Sequence, residues 1–213
     1  MRKPDGVASF PVIGLCGLAS SGKDYLAKGL VNQGYTRLAF ADEVRAMLVR
    51  LNPIVSARHR ADFRRPDGRL PVRVKDVVKG EWDALKEELP ALYNQEIRPL
   101  LQRLGTECIR DIDPTFWVKA VDGLLQDLAT DPNGQPEGIV VTDVRFANEA
   151  EWIHELGGYV IKIARPGVKQ LDHSSEVIDF EYDAMFCNEG DGEQCRETFV
   201  DVVDALLGKG GAS

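Results

Sequence analysis

The chain has 213 residues, of which 44% are hydrophobic and 28% are charged, and both values are ordinary for a globular protein with one sizeable core. A formal net charge of −8 argues against a dedicated nucleic-acid binder, which would present a basic face or tail, so no nucleic acid polymer is expected as a partner. The four dispersed cysteines lack zinc-site spacing and indicate reduced thiols in a cytoplasmic protein.

The N-terminal stretch VASFPVIGLCGLA superficially resembles a secretory signal, because Arg2 and Lys3 precede it. However, Asp5 lies close to the basic pair, and Pro11 interrupts the apolar helix that a signal requires. A short buried strand leading into a glycine loop is the simpler interpretation. No apolar run approaches the roughly eighteen residues of a membrane span, so no membrane association is expected.

Strands and helices alternate from the start of the chain. FPVIGLCG (10–17) is a β-rich apolar run and predicts a strand, and KDYLAKGLVNQG (23–34) has the apolar spacing of a helix. YTRLAF (35–40) predicts a second strand. ADEVRAMLVRLN (41–52) predicts a helix with acidic residues in its first turn, where they interact favourably with the helix dipole.

The segment 53–113 is expected to form a helical insertion, and a flexible flap is the alternative for its first part, 53–89. Its first part is charged and rich in loop signals, and DVVKGEWDALKEEL (76–89) predicts one helix within it. A second helix is predicted over 92–112. A third, over 114–129, follows the insertion, and Pro114 suits its first turn.

The last third of the chain returns to alternation. GIVVTDV (138–144) and YVIKIARP (159–166) are apolar runs of the kind found in parallel sheets, and 145–158 predicts a loop and a helix between them. AMFCNEG (184–190) predicts a last short strand, and 195–208 predicts an amphipathic terminal helix.

This alternation predicts an α/β fold in which a parallel sheet is covered by helices on both faces. We expect one domain over 1–213, with the helical insertion contained in it. Ligands of such sheets bind beyond the carboxyl ends of the strands. The candidate site is therefore expected at the turns that follow the predicted strands.

The first of these turns carries the skeleton of a phosphate-binding loop, Gly17-x-x-x-x-Gly22-Lys23. An apolar strand precedes it and a helix begins at the lysine, which is the context that this motif requires. Glycines let backbone N–H groups surround phosphates, and Lys23 would reach the β- and γ-phosphates. The predicted cofactor-binding residues are Gly17, Ala19, Ser20, Ser21, Gly22, Lys23, Asp24 and Tyr25.

Asp24 departs from the motif, which has Ser or Thr at this position to help hold Mg²⁺. We expect Asp24 to contact Mg²⁺, directly or through water, or else to orient Lys23. Asp143 ends an apolar strand, and an acid there can also hold Mg²⁺; a helix cap or turn is the alternative. Arg145 is suited to bidentate phosphate contact, although an ion pair with Glu149 or Glu151 is open.

With GLASSGKD, LAFADEVR, LLQRLGTECIRDIDPTFWV, VTDVRFANEAEWI and DHSSE considered together, the chain resembles the deoxynucleoside monophosphate kinases of bacteriophages. The similarity runs from the phosphate loop to about Glu176 and covers order as well as motif. GKD in place of GKS or GKT is similar to that family's own variant. The Pro53 to Leu89 stretch carries no motif that can be placed.

The resemblance implies the P-loop NTPase three-layer fold and ATP-dependent, Mg²⁺-assisted phosphorylation of a deoxynucleoside monophosphate to the diphosphate. It implies a monophosphate-binding insertion over 53–113 and a lid over 165–183, and by analogy it leaves a homodimer open. A phage origin would place the enzyme in the host cytoplasm. The expected catalytic residues are Lys23, Asp24 and Arg145, and the expected substrate-binding residues are Asp42, Arg103, Glu107, Arg110, Asp143, Arg145 and Arg165.

Several of these residues could instead have no functional role. Asp42 and Glu107 could be ordinary helix-surface acids, and Arg103 and Arg110 could be solvated helix arginines. His173 lies in a polar segment and could be merely exposed. For the whole protein, the rivals are another small-molecule P-loop kinase, such as a dephospho-coenzyme A type, and a P-loop ATPase or nucleotide-binding module.

Overall fold

The computed structural model describes residues 10–55, 72–78, 82–132, 134–168, 178–190 and 192–209. The chain divides into two compact units. The first unit combines residues 1–40 with 117–213, and the second is formed by residues 41–116. No helix in the described ranges is long and apolar enough to cross a membrane.

Five parallel strands form the sheet of the first unit, in the order β2-β3-β1-β4-β5. Their bounds are β1 Val12–Cys16, β2 Tyr35–Leu38, β3 Gly138–Val144, β4 Tyr159–Ala164 and β5 Ala184–Cys187. The predicted α/β class and parallel sheet are confirmed. The segment that carries the predicted phosphate loop follows β1, the central strand of this sheet.

Helices cover both faces of this sheet. Their bounds in the first unit are α1 Lys23–Asn32, α7 Phe116–Ala129, α8 Ala147–Glu155 and α9 Glu193–Leu206. Ile13 and Leu15 on β1 belong to a core with α1 and α9. Gly14 faces the other way, against Ile153 of α8, because successive strand residues alternate between faces. The core therefore lies in two layers, one on each side of β1.

The second unit is helical. Its helices are α2 Phe40–Leu51, α3 Val74–Val78, α4 Trp82–Glu88, α5 Pro90–Leu92 and α6 Arg98–Gln102, with π-helical segments at Tyr93–Ile97 and Arg103–Arg110. Pro99 has no N–H to donate, and its ring would clash with the carbonyl of Gln95 in a regular α-helix. A wider π-turn is a common way to accommodate such an interruption. Leu48, Leu85, Leu92 and Ile97 contribute to the unit's own core.

Several predicted boundaries were wrong. The strand predicted over 35–40 ends at Leu38, and α2 begins at Phe40 rather than one residue later. The predicted helix 76–89 is described as α3 and α4, with 79–81 outside the described residues. The helix predicted from Pro114 begins at Phe116, because Asp113 Oδ1 accepts hydrogen bonds from the N–H and hydroxyl of Thr115 and holds a turn there.

Trp117 and Trp152, the two tryptophans of the first unit, are core residues. Trp117 and Trp152 are 2% and 7% exposed, and the indole N–H of Trp152 donates to Asp122 Oδ1 at 3.0 Å. Residues 169–177 of the predicted lid over 165–183 lie outside the described part, and so do His173 and the DHSSE motif.

Candidate nucleotide-binding site

The loop between β1 and α1 has an unusual backbone. Gly17, Ser20 and Gly22 all have positive φ values, of 140°, 64° and 91°. Such left-handed positions, alternating with right-handed ones, turn successive N–H groups toward a common concavity that favours anions. A Cβ at Gly17 would also collide with the carbonyl oxygen of Ile163 on β4, so both geometry and packing require glycine there.

Lys23 lies folded over this loop. Its Nζ donates to the carbonyl oxygens of Gly17 at 2.7 Å and Leu18 at 2.8 Å, and contacts Ser21 Oγ at 3.4 Å. Lys23 is also the first residue of α1, so its ammonium group lies at the positive end of the helix dipole. A cation and a helix N-terminus in the same place form an anion site.

The outer side of the loop contacts residues that follow β4 and β5. Asn188 Nδ2 donates to the Ser21 carbonyl at 2.8 Å. A Cβ at Gly22 would collide with this Asn188 nitrogen, and Arg165 Nη1 lies 4.0 Å from the same Cβ position. The structure therefore places Arg165, a predicted substrate-binding residue, beside the phosphate loop.

Asp143 lies at the carboxyl end of β3, adjacent to β1. Cys16, the last residue of β1, pairs in register with Val144, so the phosphate loop and Asp143 leave the sheet at neighbouring strand ends. Asp143 Oδ1 accepts a hydrogen bond from the backbone N–H of Phe40 at 2.9 Å. The predicted capping alternative is thus observed. A carboxylate has about four lone-pair sites, so a hydrogen bond from one N–H group is compatible with a metal contact.

The turn after β3 is held by Glu149. This carboxylate is 2% exposed, and its Oε2 accepts from the N–H groups of Arg145 at 2.8 Å and Phe146 at 3.2 Å. Glu149 therefore occupies the first turn of α8, where acids are favourable, and fixes the backbone of Arg145. This contact between Arg145 and Glu149 is a backbone hydrogen bond, so it does not test the predicted ion pair of the Arg145 side chain.

Asp24 and Tyr25 each lie beside an arginine side chain. The Asp24 side chain is 72% exposed, and its Oδ1 lies 3.5 Å from Arg37 Nε on β2. The guanidinium of Arg196 lies 5.4 Å from the centroid of the Tyr25 ring. Ala19 lies within the loop itself, partly exposed.

The remaining predicted substrate residues belong to the second unit. Asp42, in the first turn of α2, pairs with Arg45 at 2.7 Å. Arg103, Glu107 and Arg110 lie on the second π-helical segment, where Arg103 and Glu107 are exposed and Arg110 Nη1 donates to the Pro114 carbonyl at 3.3 Å. This segment packs closely against α2, because a Cβ at Gly105 would lie 3.3 Å from a methyl group of Val44.

The donor set of the first unit fits a polyphosphate with its metal. The loop supplies backbone N–H groups, Lys23 supplies a cation, and Asp143 supplies carboxylate oxygen of the kind that Mg²⁺ prefers. Within the described ranges, no three His, Cys, Asp or Glu residues cluster as a metal cage.

Residues 74–195 match the family model described as deoxynucleotide monophosphate kinase, and they make up more than half of the chain. The chain belongs to this family. A protein of Acanthamoeba polyphaga mimivirus, provisionally named a deoxynucleotide monophosphate kinase, is 28% identical over 210 residues, covering 91% of this chain and 96% of the viral protein. The structure is also similar to the crystal structure of TT1252 from Thermus thermophilus, with a TM-score of 0.42 and 16% sequence identity. The match covers 95% of this chain and 99% of the TT1252 chain.

Membership of the deoxynucleotide monophosphate kinase family makes the chain a phosphotransferase with small nucleotide substrates, and it confirms the family resemblance. The matched region begins at residue 74, after the phosphate loop. The loop geometry and the family match are therefore separate observations that agree.

Two contacts of the site escaped sequence reasoning. Asn188 lies 167 positions from Ser21, and no motif connects them. Arg37 lies on an exposed position of β2, where an arginine usually means only a solvated surface. A weak signal did exist for Asn188, because it directly follows a parallel strand and so lies at the ligand-binding edge of the sheet.

Proposed function

We propose that this deoxynucleotide monophosphate kinase transfers the γ-phosphoryl group of ATP to a deoxynucleoside monophosphate, with Mg²⁺ as the metal. The observation that carries the proposal is Lys23, which lies over a phosphate loop with left-handed positions at Gly17, Ser20 and Gly22. Asp143 stands at the neighbouring strand end. This combination supports a nucleoside triphosphate as the donor.

The reaction needs little from the protein beyond positioning and charge. The attacking group is a phosphate oxygen of the acceptor, already anionic at neutral pH, so no Ser, Cys or His nucleophile is required. Two polyanions must be brought together, and Mg²⁺ would offset the charge of the β- and γ-phosphates. Lys23, Arg145 and Arg165 are the cations that we assign to the transferred phosphoryl group and its neighbours.

Two carboxylates are proposed for the metal. Asp143 would hold Mg²⁺ through its carboxylate, while its bond to the N–H of Phe40 keeps that carboxylate oriented. Asp24 is exposed, so in our proposal it acts through water or by orienting Lys23, with Arg37 holding the carboxylate from the side of β2.

The second unit is proposed to bind the acceptor. Arg103 and Arg110 would bind its monophosphate, and Asp42 and Glu107 would accept hydrogen bonds from the base or sugar. Arg103, Glu107 and Arg110 lie on the same π-helical segment, and this supports the proposal because such segments occur often at functional sites. The lid over 165–183, the homodimer and the cytoplasmic location stay predictions from the sequence.

A panel of acceptors tests the proposal. The purified chain would be incubated with ATP, Mg²⁺ and each of the four common deoxynucleoside monophosphates, with ADP release measured by a coupled assay. We expect ADP formation that depends on the acceptor and on Mg²⁺, with the matching diphosphate as product. Turnover only on a hydroxyl acceptor such as dephospho-coenzyme A, or acceptor-independent hydrolysis, would contradict it and favour the rival functions.

A further inference from the structure

Asn188, which lies outside the phosphate-loop motif, makes three hydrogen bonds at the point where β5 ends. Its backbone N–H donates to the Ala164 carbonyl at 2.7 Å, which ties it to β4. Its side-chain Nδ2 donates to the Ser21 carbonyl at 2.8 Å. Its Oδ1 accepts from Cys195 Sγ at 3.3 Å. Asn188 is 3% exposed and Ser21 is 1% exposed, so water does not compete for these groups.

The bond to Ser21 determines which way one peptide of the loop faces. In a trans peptide the C=O and the following N–H point in opposite directions. Holding the Ser21 carbonyl on Asn188 therefore directs the N–H of Gly22 away from Asn188, toward the concave side where we place the phosphates. Gly22 has a left-handed φ of 91° in this arrangement, which glycine adopts without steric strain.

Cys195 in turn orients the amide of Asn188. An amide that flipped by 180° would present its oxygen to the Ser21 carbonyl, and the two acceptors would repel each other. The thiol of Cys195, at the start of α9, donates to Oδ1 and so favours the orientation in which Nδ2 faces the loop. The loop is thus supported by a short chain of hydrogen bonds from α9.

We propose that Asn188 is a positioning residue for the phosphoryl donor: it presets the peptide between Ser21 and Gly22 for phosphate binding, with Cys195 fixing its amide. The proposal rests on the proposed use of a nucleoside triphosphate. It concerns donor binding alone and makes no claim on the acceptor.

The main test is Asn188→Leu, a neutral variant of similar size that can neither donate nor accept. We expect the KM for ATP to rise about tenfold, and likewise the Kd of Mg²⁺–ATP measured by calorimetry without acceptor. This is the effect of losing one buried hydrogen bond, because the loop must then become ordered when the phosphates bind. The KM for the deoxynucleoside monophosphate should change less than about twofold. Asn32→Leu, at an exposed position of α1, serves as the matched control.

A second pair of variants keeps the test valid if Asn188→Leu does not fold. Cys195→Ala should raise the KM for ATP about threefold, and Cys195→Ser, whose hydroxyl can donate to Oδ1, should restore it. Cys187→Ala, at an exposed thiol, should leave it unchanged. Equal KM values for ATP in wild type and Asn188→Leu, equal rises for both substrates, or no rescue by serine would overturn the proposal.

These outcomes are separable from failure of the proposed function. Inorganic tripolyphosphate carries the donor's phosphates without base or sugar, and its competition with Mg²⁺–ATP reports on the loop alone. If the wild type phosphorylates no deoxynucleoside monophosphate but Asn188→Leu still weakens tripolyphosphate binding, the proposed function fails and the role of Asn188 stands. If the wild type is active and Asn188→Leu binds tripolyphosphate normally, the reverse holds.

Discussion

Asp143 combines two roles that one pair of substitutions separates. Its Oδ1 accepts from the N–H of Phe40 at 2.9 Å, which is a structural bond at the start of α2. In the proposed function, the same carboxylate also holds Mg²⁺. Asp143→Asn keeps an oxygen that can accept from Phe40 but removes the charge. Asp143→Ala removes both.

The two variants should differ in stability. Asparagine loses the interaction of a negative charge with a helix N-terminus, about 0.3–1 kcal/mol. Alanine leaves the N–H of Phe40, a residue only 4% exposed, without its acceptor, at a cost of about 1–3 kcal/mol. For a chain of this length, each kcal/mol lowers Tm by about 2–4 °C. We therefore expect a loss of about 1–4 °C for Asp143→Asn and about 2–12 °C for Asp143→Ala.

The two variants should be alike in activity. Without a carboxylate for Mg²⁺, kcat should fall about 100-fold in both, and more Mg²⁺ should be needed for half-maximal rate. Scanning calorimetry gives Tm, and the coupled ADP assay, run over a range of Mg²⁺ concentrations, gives kcat. Asp201→Asn, on the exposed side of α9, is the control for loss of one aspartate charge.

One result would refute this reasoning. If Asp143→Asn keeps the wild-type rate and the wild-type dependence on Mg²⁺, then Asp143 is only the cap of α2 and the proposed metal role is wrong. A large loss of Tm for Asp143→Asn, equal to that for alanine, would instead refute the assumption that the amide oxygen replaces the carboxylate on Phe40.

Three further predictions address the loop and the core. Lys23→Met should lower kcat at least about 100-fold while its circular dichroism spectrum stays native, and Lys28→Met, at an exposed position, should stay active as the control. A Lys23→Met variant that is folded and active would show that this lysine has no role in catalysis. Asp24→Asn should shift the Mg²⁺ dependence of the rate more than Arg37→Gln does, since loss of their exposed ion pair alone costs less than about 1 kcal/mol. Equally small effects of both variants would mean that Asp24 has no role beyond this ion pair. Burial raises the pKa of Cys16 to about 11 from 9.0, so the unfolded thiol ionises first as pH rises. The stability advantage of wild type over Cys16→Ala, measured by urea denaturation, should therefore be complete below about pH 9 and shrink by about 2 kcal/mol by pH 11; a constant difference would contradict it.

Local patterns in the sequence were enough for most of the fold. Continuous apolar runs identified β1, β3 and β4, whose residues are buried on both faces, and helical spacing identified α1, α8 and α9. The phosphate loop was predictable because its glycines and Lys23 are consecutive in the chain and their function depends on local backbone geometry. Asp143 was predictable as a residue at a strand end, since parallel strands share their ligand-binding edge.

Boundaries in the second unit and at the start of α7 were harder, because side-chain contacts and not periodicity decide them. Asp113 delays α7 to Phe116 by binding the Thr115 backbone and hydroxyl. The π-helical segments around Pro99 are so short that their apolar pattern does not distinguish them from an α-helix. Their hydrogen-bond register depends on how the helix accommodates the proline and packs Gly105 against Val44.

By itself, the sequence determined the strands, the phosphate loop and the family, because each is written in neighbouring residues. Only the tertiary structure decided what surrounds the loop. The strand order places β3 and β4 on either side of β1, and this brings Phe40 to Asp143 across 103 positions and Asn188 to Ser21 across 167. Such pairs obey no periodicity, since a hydrogen bond depends on distance in space and the chain leaves that distance open until the sheet has formed.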